Sequence, residues 1–418
     1  MHLMIPRIFK LKKISFLLLS AMMSAFAVQG QDAAGGSNTG MDSAVASKSA
    51  ASRNPSRDST FKPSGQLWGY AFGDFYYKAH SDNASRGGAN QYTGIPAGRD
   101  AFQFRRIYLG YNYNISPKFA AEFLFAAEDN FSGGDLLANG KFTAYIKLAD
   151  IRIKNIWKGT DLVVGEGATP AFPLLTEVIW GYRSIERTVS DIRRTPSFDF
   201  GASLQGKFDP DHGNFGYDLM VGNGSGDKPE GDNFKWFYGD VYAKFLDQKL
   251  VFDLYADYER LNWTPGFHHA RNMVKAFAAY NTPYLTIGVE AFTNHGENDV
   301  VGNASPIFDT TSALSEAISF YIHGAIIKDR LNFFARMDNY NPDTKYDHVT
   351  FTKYTGLTST YEPNNREQFI VAGLDFTPNK NVHFMPNVWY NRYMSQTAAS
   401  NTDYDLVYRI TFYYIYGK

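Results

Sequence analysis

Apolar and polar side chains alternate along most of the chain from Gln66 onward. In 331–338 the odd positions are Leu, Phe, Ala and Met, whereas the even positions are Asn, Phe, Arg and Asp. Successive side chains of a β-strand point to opposite faces of the sheet, so this period of two predicts strands with one apolar face. The stretches 251–259 and 406–416 repeat the pattern. The chain is therefore predicted to be an all-β protein.

Sixteen segments carry this pattern, and the links between them alternate in length. The segments are 66–78, 101–115, 118–128, 142–154, 160–168, 200–208, 215–222, 235–246, 249–260, 272–280, 284–294, 315–327, 330–341, 366–377, 380–395 and 403–417. The eight long links are 79–100, 129–141, 169–199, 223–234, 261–271, 295–314, 342–365 and 396–402. The seven short links carry turn residues, as in Ser116-Pro117 and Pro378-Asn379. Short links at one end and long links at the other are typical of an even-stranded outer-membrane barrel.

This pattern favours a closed barrel over a secreted sandwich or propeller. The segments hold 8 to 16 residues, whereas strands of globular proteins usually hold ~5–6. Aromatic residues such as Trp68, Tyr70 and Trp236 cluster near segment ends, as in the interfacial girdles of membrane barrels. Barrels of ~16–18 strands leave an aqueous channel. The predicted fold class is a 16-stranded antiparallel transmembrane β-barrel with an inward-folded third loop.

That third loop is the longest link, 169–199. Apolar residues at 178, 182, 185 and 189 have helical spacing, which predicts a helical turn or two with one apolar face. We expect this face on the barrel wall and the charges of the loop in the water path, where fixed charges set selectivity. The alternative is an external loop that packs on itself or on a neighbouring subunit. The candidate constriction residues are Glu177, Arg183, Glu186, Arg187, Asp191, Arg193 and Arg194.

Charged residues on the polar side of the strands are candidates for the lumen wall. They are Arg106, Glu122, Asp253, Asp257, Glu290, Arg336, Asp338 and Arg409. With Lys244, Asp240 and Asp375 added, the set holds seven acidic and four basic side chains. A phosphate-selective pore requires positive potential along its path. The balance of charges therefore favours a general or weakly selective channel.

The N-terminal region has the organisation of an export signal. Arg7 and three lysines precede the apolar run 14–27, and small residues follow, as in a secretory signal peptide. Cleavage is expected either after Ala27 or before Gln31. The predicted domains are a signal peptide (1–30), a flexible low-complexity leader (31–64) and an outer-membrane barrel (65–418).

Composition and motifs exclude several classes of chemistry. The chain has no Cys, which excludes a disulfide scaffold and thiolate catalysis or metal binding. Removal of the signal peptide takes the net charge from −1 to −5, which argues against a nucleic-acid partner. No catalytic or nucleotide-binding motif occurs, and no cofactor, metal site or catalytic residue is predicted. A barrel hydrolase is the least favoured alternative, because His383 would require Ser203 or Ser319 as a neighbour.

Four stretches resemble the phosphate-selective porin O/P group, in its Bacteroidetes-type branch. They are Phe102–Leu109, Leu162–Glu166 with Pro170-Ala171-Phe172, the Glu177–Arg194 loop, and Asp199–Gly206. The resemblance covers roughly residues 65–418. It implies a trimeric, water-filled barrel that passes small hydrophilic solutes, with the third loop inside the pore. In phosphate-specific members a ladder of lumenal arginines and lysines carries the anion.

The sequence therefore predicts a passive porin in the outer membrane of a Gram-negative cell. Its expected partners are outer-membrane lipid, small hydrophilic solutes or inorganic ions, with phosphate among the candidates, and two further copies in a homotrimer. A surface-exposed binding or adhesion barrel without an open pore is the main alternative.

Overall fold

The computed structural model describes residues 61–86, 91–128, 144–193, 195–261, 268–301, 310–346, 366–396 and 402–417. The predicted signal peptide, residues 31–60 of the predicted leader and the candidate Arg194 lie outside the described residues. The barrel begins with a strand at Ser64.

Sixteen strands form one closed antiparallel barrel, which confirms the predicted architecture. Each strand pairs with its neighbours in sequence, and β1 pairs with β16 to close the cylinder. The strands are β1 (Ser64–His80), β2 (Asp100–Asn114), β3 (Phe119–Glu128), β4 (Ala144–Trp157), β5 (Thr160–Ala168), β6 (Phe198–Lys207), β7 (Phe215–Gly222), β8 (Trp236–Phe245), β9 (Leu250–Arg260), β10 (Ala270–Asn281), β11 (Leu285–Val301), β12 (Thr310–Ile327), β13 (Leu331–Asn341), β14 (Arg366–Asn379), β15 (Val382–Met394) and β16 (Asp403–Tyr416).

Two short helices lie in the link between β5 and β6. They are α1 (Thr176–Trp180) and α2 (Val189–Arg193), each of five residues. Within the described parts of the chain, no helix has the length and apolar character needed to span a membrane.

The alternation along each strand separates an apolar outer face from a polar inner face. On β8, the outward Phe237 and Phe245 are 50% and 45% exposed, whereas Asp240 on the opposite face is 2% exposed. The outward residues of the other strands are also mainly aromatic or aliphatic and exposed. Inward positions carry most of the buried charged side chains, so the barrel has polar groups inside and apolar groups outside.

A β-bulge directs two neighbouring arginines into the lumen. Phe72 of β1 lies opposite Arg106 of β2, whereas the next residue, Gly73, lies opposite Phe104. Arg105 is therefore an extra residue, and a bulge of this kind re-aims a side chain. Strict alternation would place Arg105 outside. Instead it is buried, with its guanidinium Nε 2.6 Å from the inward Asp74.

The hairpin of β11 and β12 is longer than predicted. The sequence predicted strands over 284–294 and 315–327 with a long link at 295–314, but the strands extend to Val301 and from Thr310. The added residues of β11 are mostly polar, so neither parity is apolar and the alternation gives no signal there.

Candidate functional site in the barrel lumen

The link 169–199 packs its apolar side chains on the inner faces of the barrel strands. The Trp180 and Tyr321 rings lie 5.0 Å apart between centroids, and the Tyr182 and Phe334 rings lie 4.7 Å apart. Near the start of the link, Phe172 belongs to a buried cluster with inward residues of β7 to β12. Together these contacts cover a continuous arc of the wall from β7 to β13.

The predicted helical turn or two of the link occurs as two separate five-residue helices rather than one continuous apolar face. The sequence predicted one apolar face through the residues at 178, 182, 185 and 189. In the structure α1 ends at Trp180 and α2 begins at Val189, so Tyr182 and Ile185 lie between the helices. Gly181 follows with a φ of 69° and donates its N–H to the carbonyl of Glu177. Glycine adopts this left-handed conformation without steric cost, so it stops the helix. Tyr182 and Ile185 reach the wall from non-helical backbone instead.

Three wall arginines hold the backbone that follows α1. Arg105 of β2 donates a hydrogen bond to the Ser184 carbonyl. Arg409 of β16 donates to the Ile185 carbonyl at 3.0 Å, and Arg336 of β13 donates to the Arg187 carbonyl at 2.5 Å. Hydrogen bonds from charged donors are stronger than those between neutral groups. The segment 184–187 is therefore fixed from three separate strands.

Further polar contacts join the link to other strands. Lys275 Nζ of β10 lies 2.9 Å from Thr176 Oγ1, and the Ser190 N–H donates to Glu290 of β11 at 3.2 Å. His323 of β12 contacts the Ile179 carbonyl at 3.2 Å. The remaining contacts are Trp389 of β15 to Glu186 (3.1 Å), and Glu367 of β14 to Arg193 (2.7 and 3.0 Å). With the arginines, these bonds go to eight strands, β2 and β10 to β16.

The link carries a compact charge network of its own. Arg183 lies between Glu177 and Asp191, with its Nη1 2.6 Å from Asp191 Oδ2. Arg187 Nη1 lies 3.8 Å from the other oxygen of Asp191. Burial alone would raise the pKa of Asp191, but the two arginines lower it below its usual value. The link therefore keeps two positive and two negative groups paired.

The candidate constriction residues divide into two groups. Glu177, Arg183, Arg187 and Asp191 belong to the link's own charge network. Arg187 is the most exposed of these four, with 29% of its side chain exposed. Glu186 and Arg193 were expected in the water path. Instead both are bonded to wall residues, because the indole of Trp389 and the carboxylate of Glu367 lie opposite them.

All eight candidate wall residues lie on the inner parity of their strands. Arg336 and Asp338 pair on β13 at 2.5 Å, and Asp257 accepts a hydrogen bond from Tyr255. Asp253 pairs with Lys275 at 3.1 Å. Arg106 lies 3.7 Å from Glu128. Glu122 lies on β3 opposite Asp150, towards the short turn that joins β2 and β3.

A second link contacts the same site, and little in the sequence predicted this contact. Tyr92, in the link 79–100, is fully buried and contacts Trp389 with ring centroids 5.3 Å apart. Its hydroxyl lies 3.3 Å from Asp74 and from Arg409, and its carbonyl accepts a hydrogen bond from Lys78. A single Tyr among Gly, Asn and Ser residues has no periodicity from which to predict such a contact.

A bound metal ion or a hydrolytic site would each require a cluster of suitable polar side chains. Over the described ranges, no group of three or more His, Asp or Glu side chains is arranged to hold a metal ion. His383 Nδ1 lies 2.9 Å from Asp375 on the inner face. Ser203 and Ser319, the serines considered as partners, lie on β6 and β12, whereas His383 lies on β15. The barrel does not bring either serine's strand next to β15.

Neither a protein-family model nor a curated protein sequence matches the chain. Solved structures of outer-membrane proteins do match its fold. The outer membrane channel DcaP of Acinetobacter baumannii is 9% identical with a TM-score of 0.58, covering 85% of this chain and 97% of that one. OmpF of Salmonella typhi, solved with daunomycin, is 11% identical with a TM-score of 0.54, covering 84% and 97%. OmpT of Vibrio cholerae is 11% identical with a TM-score of 0.53, covering 85% and 98%. At these identities the likeness concerns the fold.

Proposed function

We propose that the protein is an outer-membrane porin, a passive channel for small hydrophilic solutes or ions that is general or weakly selective. The observation that carries this proposal is the link 169–199, bonded to inward side chains of eight strands in a closed 16-stranded barrel. A barrel of this strand number encloses a water-filled lumen. A segment folded into that lumen narrows the water path.

The outer face supports a location in lipid. Exposed apolar residues follow the strands around the barrel, for example Ile146 and Ile151 on β4, which are each 50% exposed. In a bilayer every backbone polar group must find a partner within the protein, and a closed barrel satisfies this requirement. Soluble monomers rarely expose so much contiguous apolar surface. An outer membrane reached through the N-terminal signal peptide is the compartment that fits such a barrel.

The constriction follows from the position of the link's charged side chains. Glu177, Arg183, Arg187 and Asp191 form one network, and Arg106 of β2 interacts electrostatically with Asp191. We propose that these groups border the narrowest water path. The homotrimer and the narrower resemblance to phosphate-selective porins stay predictions, and we favour a channel without phosphate specificity, because the wall arginines are engaged with the link.

Planar-bilayer recording of the purified full chain tests this function. A porin inserts with uniform steps of ohmic conductance, whereas an adhesion barrel without an open pore gives negligible conductance. The barrel-hydrolase alternative predicts lipid or ester turnover that His383→Ala abolishes. Absence of conductance steps from protein that migrates as a folded barrel would contradict the proposal.

A further inference from the structure

The wall arginines have little positive charge to offer a passing anion. Arg105 pairs with Asp74 and Arg336 pairs with Asp338, and each also donates to a carbonyl of the link. Arg409 donates to the Ile185 carbonyl and to Asn387 Oδ1 at 2.6 Å. An arginine whose donors and charge are already matched by protein groups is a poor site for a permeating anion. These residues position the link.

The charges that border the link nearly cancel. Within the link, Arg183 and Arg187 are balanced by Glu177 and Asp191. On the facing strands, Arg106 and Lys147 share one carboxylate, Glu128, at 3.7 and 2.7 Å. This leaves an excess of one positive group at that level. The charged residues on the rest of the wall therefore decide whether the channel prefers cations or anions.

The strands β3, β4, β7 and β8 carry acidic side chains in like-charged pairs. Glu122 of β3 lies directly opposite Asp150 of β4, and Asp218 of β7 lies directly opposite Asp240 of β8. We call these four residues the acidic wall. Like charges directly opposite each other in an antiparallel pair destabilise the sheet, and a cation between or in front of them relieves that repulsion.

The basic groups near these acids are shared with other residues and are fewer than the acids. Arg152 and Lys244 both attract Asp218, and Lys275 attracts Asp240. Arg152 of β4 pairs with Asp161 at 3.2 Å, and Lys275 pairs with Asp253. Lys244 of β8 lies over the Tyr242 ring, 5.2 Å from its centroid. One oxygen of Asp240 accepts the Asp218 N–H at 2.8 Å. Its other oxygen, Oδ2, is buried and has no hydrogen-bond partner among the described residues.

We propose that the channel prefers small cations to anions and that the acidic wall sets this preference. The inference rests on the proposed porin function and adds the class of solute. Fixed carboxylates along a narrow water path with low-dielectric walls raise the local concentration of cations and lower that of anions. The selectivity-determining residues thus lie on the barrel strands rather than in the link.

Reversal potentials across a potassium chloride gradient test this inference. The wild-type chain should show a potassium-to-chloride permeability ratio above one. Asp218→Asn with Asp240→Asn should lower that ratio about fivefold or more, because one unit charge removed at ~4 Å in water by itself lowers the potassium permeability about fivefold and the double variant removes two. Asp240→Glu should retain the ratio. The matched control is Asp211→Asn with Asp247→Asn in two short turns, where the side chains are 73% and 93% exposed, and it should leave the ratio unchanged.

The outcomes separate the inference from the porin function. Two results would overturn the cation preference: a chloride preference in the wild type, or an unchanged permeability ratio in a folded channel with Asp218→Asn and Asp240→Asn. In either case ohmic conductance would still support the porin function. No conductance at all would overturn the porin function itself. If the first pair of substitutions prevents folding, Glu122→Gln with Asp150→Asn removes the other pair and must lower the ratio in the same direction.

Discussion

The ion pair between Arg193 and Glu367 ties α2 to β14, and its removal should loosen the link. The two guanidinium nitrogens lie 3.0 and 2.7 Å from the two carboxylate oxygens, and the side chains are 12% and 3% exposed. The guanidinium also lies 4.0 Å from the centroid of the Tyr340 ring. Burial alone would lower the pKa of Arg193, but Glu367 raises it above its ordinary value, so the pair stays charged.

Arg193→Gln breaks this pair and leaves Glu367 with the Asn391 amide, 2.6 Å away. Removal of one partner of a buried ion pair costs about 3–5 kcal/mol. The strand ladder is unaffected, so the cost falls on the docking of α2. At about 1.4 kcal/mol for each factor of ten, the undocked population should rise about a hundredfold or more.

The matched control is Arg152→Gln, which breaks an ion pair between neighbouring strands. Arg152 and Asp161 lie 3.2 Å apart and are 23% and 19% exposed. Partly exposed ion pairs contribute about 0–1 kcal/mol to the free energy of unfolding. Neither Arg152 nor Asp161 is among the wall residues that bond to the link. Its effect on the link should be less than about fivefold.

Single-channel recording distinguishes the two variants. Arg193→Gln should show brief, frequent excursions to higher conductance as α2 leaves the wall, whereas Arg152→Gln should show the quiet open level of the wild type. Heat-modifiable migration on a gel verifies that both barrels are folded. Equal noise and equal dwell times in the two variants would refute the reasoning that this pair anchors a link lying in the water path.

Three further outcomes follow from individual residues. Arg183→Glu with Arg187→Glu should move the reversal potential towards cations, and an unchanged value would place the link outside the pore. Gly181→Val forces a β-branched residue into a left-handed conformation at a cost of about 1–2 kcal/mol, which should speed proteolysis within the link; equal cleavage rates would contradict this. Burial alone would raise the pKa of Asp82, but hydrogen bonds from Arg86 lower it below its ordinary value. The turn therefore contributes its full stability above the ordinary carboxyl pKa. It loses this contribution as the pH falls through the lowered pKa. The protection factor against hydrogen exchange of the Arg86 N–H, bonded to Asp82 at 2.8 Å, should fall only in strong acid, and a fall near neutral pH would contradict the assignment.

The barrel could be predicted from the sequence because the alternation of apolar and polar residues is set locally, within each strand. Each strand has one face towards apolar surroundings and one towards the lumen, so a period of two appears wherever both environments differ. The pattern fails where that difference ends, as in the polar extension of β11 beyond residue 294. It also fails at Arg105, since a bulge adds one residue and shifts the parity.

The site was less readable because its contacts are long-range. The apolar spacing in 169–199 predicted a helical turn or two, but not that Glu186 and Arg193 would bond to Trp389 and Glu367, which follow them by more than 170 residues. Strand parity placed Arg336 on the lumen wall without showing that it binds a backbone carbonyl of the link. Tyr92 gave no signal, because one aromatic residue in a polar link carries no periodicity.

Thiol modification of single cysteines tests most directly whether the link borders a water-filled path. The chain has no native Cys, so each introduced thiol is unique. Arg187→Cys replaces the partly exposed arginine of the link, and Asp211→Cys replaces an exposed carboxylate in a short turn. A bulky charged methanethiosulfonate added to an open channel should reduce the conductance of the Arg187→Cys protein in one step and leave that of the Asp211→Cys protein unchanged. Labelling of Arg187→Cys at full yield with undiminished conductance would contradict the account.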